Sequence, residues 1–470
     1  KSIDGSVTVK ANIIAPPGDS LQLDLQELMF LDSVVMDGQN LDLAKERNVF
    51  WVKHPFSSLP VGHALEFTAY YHGRPRIAKN PPWDGGFIWT KDSVGNPWIA
   101  AACQGLGASA WWPCKDYQGD EPDSGFRFQN NAEVTISRYI SPSFDTVIIG
   151  TKDTVMFSEG RTVVDWASII ANGRQLCDTV IDDNMDLKIV NLGLDYDSVL
   201  NSRSMEGKIV RCLLGGYKST NPINTYNATF YIGDYVSWTD TVMGEKGKLD
   251  LSFHALRYNE SRARQQFAVT KQMLHCFEYW MGPYPFYEDG YRLVEAPYLG
   301  MEHQSAVAYG NKYKMGYLGT DRSGTGIGLL FDFIIVHESG HEWFGNNITA
   351  QDVADNWLHE GFTTYTETLF AECAFGKEKA FEYTMGKWNL IINDKPVIGP
   401  YGVHEDGSGD MNNKGAAVVH MIRMVMNDDE KFPQLLRGLN RDFYHQIVTS
   451  AQVEEYISKF AGYDFVPLFN

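Results

Sequence analysis

Residues 337–360 read HESGHEWFGNNITAQDVADNWLHE. His337 and His341 stand four apart, so on an α-helix their side chains share a face, one turn above the other. Two imidazoles in that relation can share a tetrahedral metal, and zinc suits nitrogen donors of this kind. Glu338 directly follows the first histidine and points about 100° round the helix. It stays near the metal without ligating it, as a general base acting on water must. Glu360 supplies a third ligand if the chain turns at GNNIT (345–349) and returns as a second helix, DNWLHEGFTTYTETLF (355–370). Two histidines and one glutamate leave a fourth position open, which is a catalytic and not a structural zinc arrangement. The bland alternative is a helix carrying two satisfied histidines. The flanks favour the metal: apolar FIIV (333–336) leads into His337, and Trp343 and Phe344 follow His341, giving the helix an apolar body.

Upstream of this stretch, NESRARQQFAVTKQMLHCFEYWMG (259–282) carries apolar residues at helical spacing and stops at Gly282 and Pro283. Downstream, KEKAFEYTMGKWNLII (377–392) and KGAAVVHMIRMVMN (414–427) read as helices, and a last one opens at SAQVE with Ser450 as its N-cap. GTGIG (324–328) follows polar TDRS and no strand, so it is a glycine-rich loop before the site helix and not a dinucleotide loop. Residues 1–240 differ in kind. SVTVKANIIA, LQLDLQELMF, ALEFTAYYHG, AEVTISRYI, TVIIGTKDTVMF and ATFYIGDYVSW mix alternation with β-branched and aromatic residues, which predicts an antiparallel sheet domain. The pattern changes near residue 241, at MGEKGKLDLSF (243–253).

At 470 residues and 44% hydrophobic content, the chain has room for more than one domain core. Its net charge of -19 and lack of a basic stripe argue against nucleic acid as a partner. No run of eighteen apolar residues predicts a transmembrane helix. The six cysteines are scattered without a C-x-x-C pair and read as buried thiols or one or two disulfides. The chain begins at Lys1, as after removal of a signal or trimming of the start, and export to a periplasmic or secreted location is expected over a cytoplasmic one. Oligomeric state and the preferred N-terminal residue of a substrate have no signature here.

HExxH, eighteen residues, then Glu in an HE-G context resembles the M1 family of zinc aminopeptidases, the gluzincins. The resemblance implies an α+β multidomain fold, with an N-terminal antiparallel, saddle-like β domain (1–240) and a mainly helical, thermolysin-like catalytic domain (241–470). It also implies that the family's further C-terminal domain is missing. One zinc on His337, His341 and Glu360, with Glu338 as general base, would remove the N-terminal residue from peptides with a free N-terminus.

The family's G-x-M-E-N motif corresponds to PYLGMEHQSAVAYG (297–310), which makes Glu302 the anchor for the substrate ammonium. Leu299 and His303 depart from that motif. Gly300 and Met301 fit it and offer a backbone edge to the substrate chain. AACQGLGASAWWPCKDYQGDEPDS (101–124) resembles the segment whose Gln reaches the amine, here Gln104, an amide that can accept from the ammonium. Glu367, two turns beyond Glu360, is expected to orient a histidine ligand.

One position breaks the pattern. The family's oxyanion tyrosine precedes a K-G pair, and in GDMNNKGAAVV (409–419) its place falls on Asn412. Loss of one oxyanion donor costs about 10²–10³ in kcat. Unless another residue such as Tyr401 supplies the hydroxyl, the alternative reading is a weak or inactive zinc-bearing peptide-binding protein. An epoxide hydrolase, like the family's bifunctional member, rests on analogy alone.

Overall fold

The computed structural model describes residues 2–104, 107–116 and 214–469, with short strand segments between 126 and 190. The described residues of its first half are mostly β-strand. Strands β1 (Ile3–Ile13), β2 (Met29–Met36) and β3 (Ala64–Gly73) form an antiparallel sheet with β1 beside β3 and β3 beside β2. Alternate residues Leu65, Phe67, Ala69 and Tyr71 of β3 are buried while their neighbours face out, the period-2 pattern that ALEFTAYYHG carries. A second antiparallel sheet contains β4 (Gly86–Lys91), β5 (Pro97–Ala102) and β6 (Phe230–Gly233), joined by Ser168–Ala171. β5 ends two residues before Gln104 and thereby aims it at the second half. The expected strand TVIIGTKDTVMF lies outside the described residues apart from Ile148–Ile149.

β7 (Tyr235–Gly244) and β8 (Gly247–Leu256) form a hairpin that belongs to the next sheet. With β9 (Tyr291–Glu295), β10 (Gly300–Met301) and β11 (Val307–Tyr309) the order is β7-β8-β9-β11-β10, parallel at β8/β9 and β9/β11 and antiparallel elsewhere, with β10 at the edge. Residue 240 falls inside β7: Tyr235 packs in the core of the first half and Val242 in that of the second.

Helices then dominate: α1 (Glu260–Phe267), α2 (Thr270–Met281), α3 (Phe333–Gly340), α4 (Trp357–Phe375), α5 (Lys377–Lys387), α6 (Asn413–Met426), α7 (Lys431–Asp442) and α8 (Ser450–Ala461). The segment 259–282, read as one helical run, is two helices broken at Ala268 and Val269 and stopped by Gly282 at φ 92°. The cap of α8 is also one residue earlier than expected. Thr449 accepts from the Gln452 N–H and Gln452 Oε1 accepts from the Thr449 N–H at 2.8 Å, a reciprocal capping box. Ser450 instead gives its hydroxyl to Asp355 at 2.5 Å.

α4 is the spine of this half. Every residue from Trp357 to Ala371 is buried, so the helix is enclosed on all sides and needs no polar face. Cys276 of α2 and Cys373 of α4 form a disulfide that ties the far end of this helix to its neighbour. No described helix is long and apolar enough to cross a membrane.

Candidate metal centre and cavity

Asp332 starts α3. Its Oδ1 accepts from the N–H groups of Ile334 and Ile335 at 3.0 and 3.3 Å, and its carboxylate also accepts from Gln266, Tyr309 and Asn311 at 2.7–2.9 Å. This cap fixes where the helical phase begins, and so where His337 and Glu338 point. The helix ends at Gly340, one residue earlier than a helix carrying both histidines requires. His341 is its C-cap, still right-handed at φ -62° and ψ -20°, so the one-turn spacing survives. Gly340 is needed there because a Cβ would lie 2.4 Å from Thr366 Oγ1 of α4. The two helices that bring the histidines to Glu360 touch at that point.

His337 Nε2 lies 3.5 Å and His341 Nε2 3.9 Å from the same oxygen of Glu360. The edges of a tetrahedral zinc site with bonds of about 2.0–2.2 Å are about 3.3–3.5 Å, so these three atoms can close on one ion with little movement. The other ring nitrogens are held from behind. His337 Nδ1 meets Glu367 Oε1 at 2.9 Å, and His341 Nδ1 meets the Phe344 carbonyl at 3.0 Å and Thr363 Oγ1 at 3.1 Å. Such partners keep the proton on Nδ1 and leave the Nε2 lone pair for a metal. Phe333 stacks on the His337 ring at 5.1 Å and 13°.

The electrostatics favour positive charge at this point. Burial pulls His337 down, but Glu360 and Glu367 outweigh it and raise the imidazole to about 10. Burial pushes Glu360 up, yet the two histidines hold it down at about 2. Burial lowers His341 to about 4, so this donor stays neutral, and a neutral imidazole beside the ionised Glu360 fits a divalent ion by the chemistry of the ligand set. Glu302, Glu338 and His341 also bring ligand atoms within 4.8 Å of one another. That second set shares His341 but holds two carboxylates raised by burial: Glu338 to about 7, and Glu302 well above the usual range, with Glu338 and Glu360 as its further causes. Groups so disposed suit proton transfer and ammonium binding better than ligation.

A cavity of about 250 Å³ opens onto these groups. Eight of the residues singled out in the sequence line it: Gln104, Gly300, Met301, Glu302, His337, Glu338, His341 and Glu360. Gly300 allows the edge strand β10 to lie against α3, because a Cβ there would be 2.7 Å from Glu338 Oε1 and 2.8 Å from Ile334. Glu302 is buried, and among the described residues no cation stands within ion-pair distance of its carboxylate. Asn412 is in the lining too, its Oδ1 accepting from Thr364 Oγ1 at 3.3 Å. Tyr401, the alternative source of a hydroxyl, is exposed, donates to Asp355 at 2.7 Å and is not in the wall.

Sequence reading missed several lining residues: Pro82 and Trp83 from the first half, Tyr317 and Arg322 from the loop before α3, and Lys387 at the end of α5. Lys387 Nζ donates to Glu367 Oε2 at 2.6 Å, and Tyr383 donates to the same oxygen at 2.5 Å. The pair is ionised. Burial pushes Glu367 up, but Lys387 and His337 outweigh it and hold the carboxylate at about 2. His359, left without a role, accepts the Ala350 N–H through Nε2 at 2.7 Å and supports the turn between the two site helices.

A sheet-rich first half, a mixed five-stranded sheet and a helical second half bring the HExxH helix against a buried Glu-bearing helix. Residues 266–398 match the model of the peptidase family M1 domain.

The chain is similar to endoplasmic reticulum aminopeptidase 1 of Mus musculus, at 25% identity over 45% of this chain and 23% of that one. It is also similar to aminopeptidase B of Mus musculus, at 25% identity over 54% of this chain and 40% of that one. The matched part thus spans from under a quarter to two fifths of the length of these curated relatives. Among solved structures, an M1 zinc metallopeptidase from Deinococcus radiodurans bound to a Tyr-Ser-Ala substrate superposes with a TM-score of 0.65 at 17% identity. That match covers 98% of this chain and 90% of that one, a likeness of fold.

Proposed function

We propose that the chain is a zinc-dependent aminopeptidase that removes the N-terminal residue from peptides with a free amine. The observation that carries this is the meeting, in one buried cavity, of the His337–His341–Glu360 triad with Glu338 and with the unpaired Glu302. Zinc held by the triad would supply Lewis acidity toward water and the peptide carbonyl. Glu338 accepts the proton of the attacking water and delivers it to the leaving amine. Glu302, desolvated and repelled by two neighbouring carboxylates, regains favourable electrostatics when an ammonium enters, and Gln104 accepts a second hydrogen bond from that group. The edge of β10 at Gly300 and Met301 aligns the substrate backbone.

A second reading keeps the metal and the peptide but lacks efficient turnover, and the position of Asn412 favours it. Its amide stands in the wall where the family carries a hydroxyl, with Tyr401 engaged elsewhere. One zinc per chain, a division into two domains within β7, and export are further parts of the proposal. The Cys276–Cys373 disulfide supports an oxidising compartment. The decisive experiment measures zinc content and turnover on aminoacyl arylamides, each with and without an N-acetyl cap. Hydrolysis of the free-amine members alone supports the aminopeptidase, equal hydrolysis of both overturns it, and tight binding without turnover selects the second reading.

A further inference from the structure

The cavity has two kinds of charged wall. Glu302, Glu338 and Glu360 line it from β10, α3 and α4, whereas Arg322 and Lys387 line it from the loop before α3 and from α5. The two cations are brought together by a close backbone approach. A Cβ at Gly386, the residue before Lys387, would lie 2.2 Å from the carbonyl oxygen of Ser323, the residue after Arg322. Lys387 is committed to Glu367 at 2.6 Å. Arg322 is not. Its guanidinium lies over the ring of Tyr317, 5.0 Å from the centroid, and among the described residues no carboxylate stands within ion-pair distance of it. The adjacent Asp321 is engaged by its own loop, accepting from the Ser323 N–H and hydroxyl at 2.9 and 2.7 Å.

An unpaired, always-charged, planar donor propped on an aromatic ring in the wall of a peptide-sized cavity is suited to a planar anion. The same cavity already holds an anchor for an ammonium. We propose that Arg322, with Lys387 beside it, forms a carboxylate-recognition subsite, and that the preferred substrates are short free-amine peptides presenting a carboxylate beyond the scissile bond. This rests on the aminopeptidase reading for the direction in which the peptide lies. Two sources carry that chemistry: the side chain of Asp or Glu in the second position, and the terminal carboxylate of a di- or tripeptide, whose extended chain spans roughly 3.5 Å per residue. Because Arg322 is exposed, the ion pair is partly screened and the gain is modest, about three- to tenfold.

The test compares matched pairs on the zinc-loaded chain. Leu-Asp-amide against Leu-Asn-amide reads the side-chain source, and Leu-Ala and Leu-Ala-Ala against their amides read the terminal source. The expected result is a kcat/KM ratio of about three to ten in favour of the carboxylate in at least one arm, falling toward one in 0.5 M salt. Arg322→Gln should bring that ratio to about one, and Arg322→Glu should reverse it in favour of Leu-Lys-amide over Leu-Asp-amide. A ratio near one in both arms of the unmutated chain overturns the proposal while leaving the aminopeptidase reading intact. So does a ratio that Arg322→Gln does not change. If no free-amine substrate is turned over, the reading of the reaction fails separately, and calorimetric binding of the same pairs measures the same ratio. Equal affinities there overturn the subsite.

Discussion

Lys387→Met removes the cation that faces Glu367 and leaves a fully buried carboxylate with two hydrogen-bond donors, Tyr383 and His337. At 2.6 Å, a pair of unit charges interacts by about 6 kcal/mol at an effective dielectric of about 20. Part of that offsets the cost of burying the ammonium, which is 6% exposed. Breaking one side of a buried pair costs about 3–5 kcal/mol in net stability. The loss is capped by protonation, because Glu367 can then rise from about 2 toward neutrality and become uncharged. Urea unfolding of the zinc-loaded chain reads the effect as a lowered midpoint at unchanged slope. Lys387→Met combined with Glu367→Gln should recover most of the loss, since an amide still accepts from His337 and no charge is stranded. A single variant within about 1 kcal/mol of the parent would refute the assignment of Lys387 as counter-ion. So would a double variant as unstable as the sum of the two.

His337→Ala and Glu360→Ala should each strip most of the zinc, whereas Glu338→Gln should retain it and lose turnover; metal analysis after dialysis separates the roles. Asn412→Tyr should raise kcat about tenfold or more with KM little changed, because a hydroxyl meets the developing oxyanion better than the ground-state carbonyl. A fall in kcat would mean that the wall has no room for it. Asp332→Ala orphans two helix N–H groups and three side-chain donors, and a loss of about 3 kcal/mol or more is expected in thermal unfolding, with weakened zinc affinity because α3 is displaced. Cys276→Ser with Cys373→Ser reopens a loop of 97 residues and should cost about 4–5 kcal/mol in chemical denaturation.

The grouping of His337, His341 and Glu360 was legible because its information is local. A four-residue spacing fixes a helix face, and an apolar run before His337 fixes the helix. Glu302 was legible only through the resemblance, since a short edge strand with one carboxylate has no periodic signature. Three features escaped for the same physical reason, that they depend on contacts between distant segments. Lys387 ends a helix whose sequence marks it as a solvated basic residue, and only the passage of Gly386 against Ser323 turns it inward. Cys276 and Cys373 are 97 residues apart, and six cysteines allow fifteen connectivities if all are paired. The α8 cap was misplaced by one residue because Thr449 and Ser450 are both good caps, and Asp355, nearly a hundred residues away, claims the serine.

The charges of the cavity follow from how little water reaches it. Glu302, Glu338, Glu360 and Glu367 are all buried, and four carboxylates in so small a volume repel one another strongly in a medium that screens weakly. Each therefore needs a partner, and the partners differ in kind. Glu367 has a permanent one in Lys387, which fixes His337 behind the metal position. Glu360 faces both histidines, and the three together could hold a divalent ion. Glu338 sits at about 7, between its two protonation states, which would suit the proton transfer proposed for it. Glu302 alone among the four is left for something brought from outside. A buried carboxylate without a cation is held at a cost that protonation relieves, as the upward shift of Glu302 records, and that an ammonium would relieve instead. On the aminopeptidase proposal, a free amine would give Glu302 a counter-charge that a capped terminus lacks, and selectivity would follow from that difference.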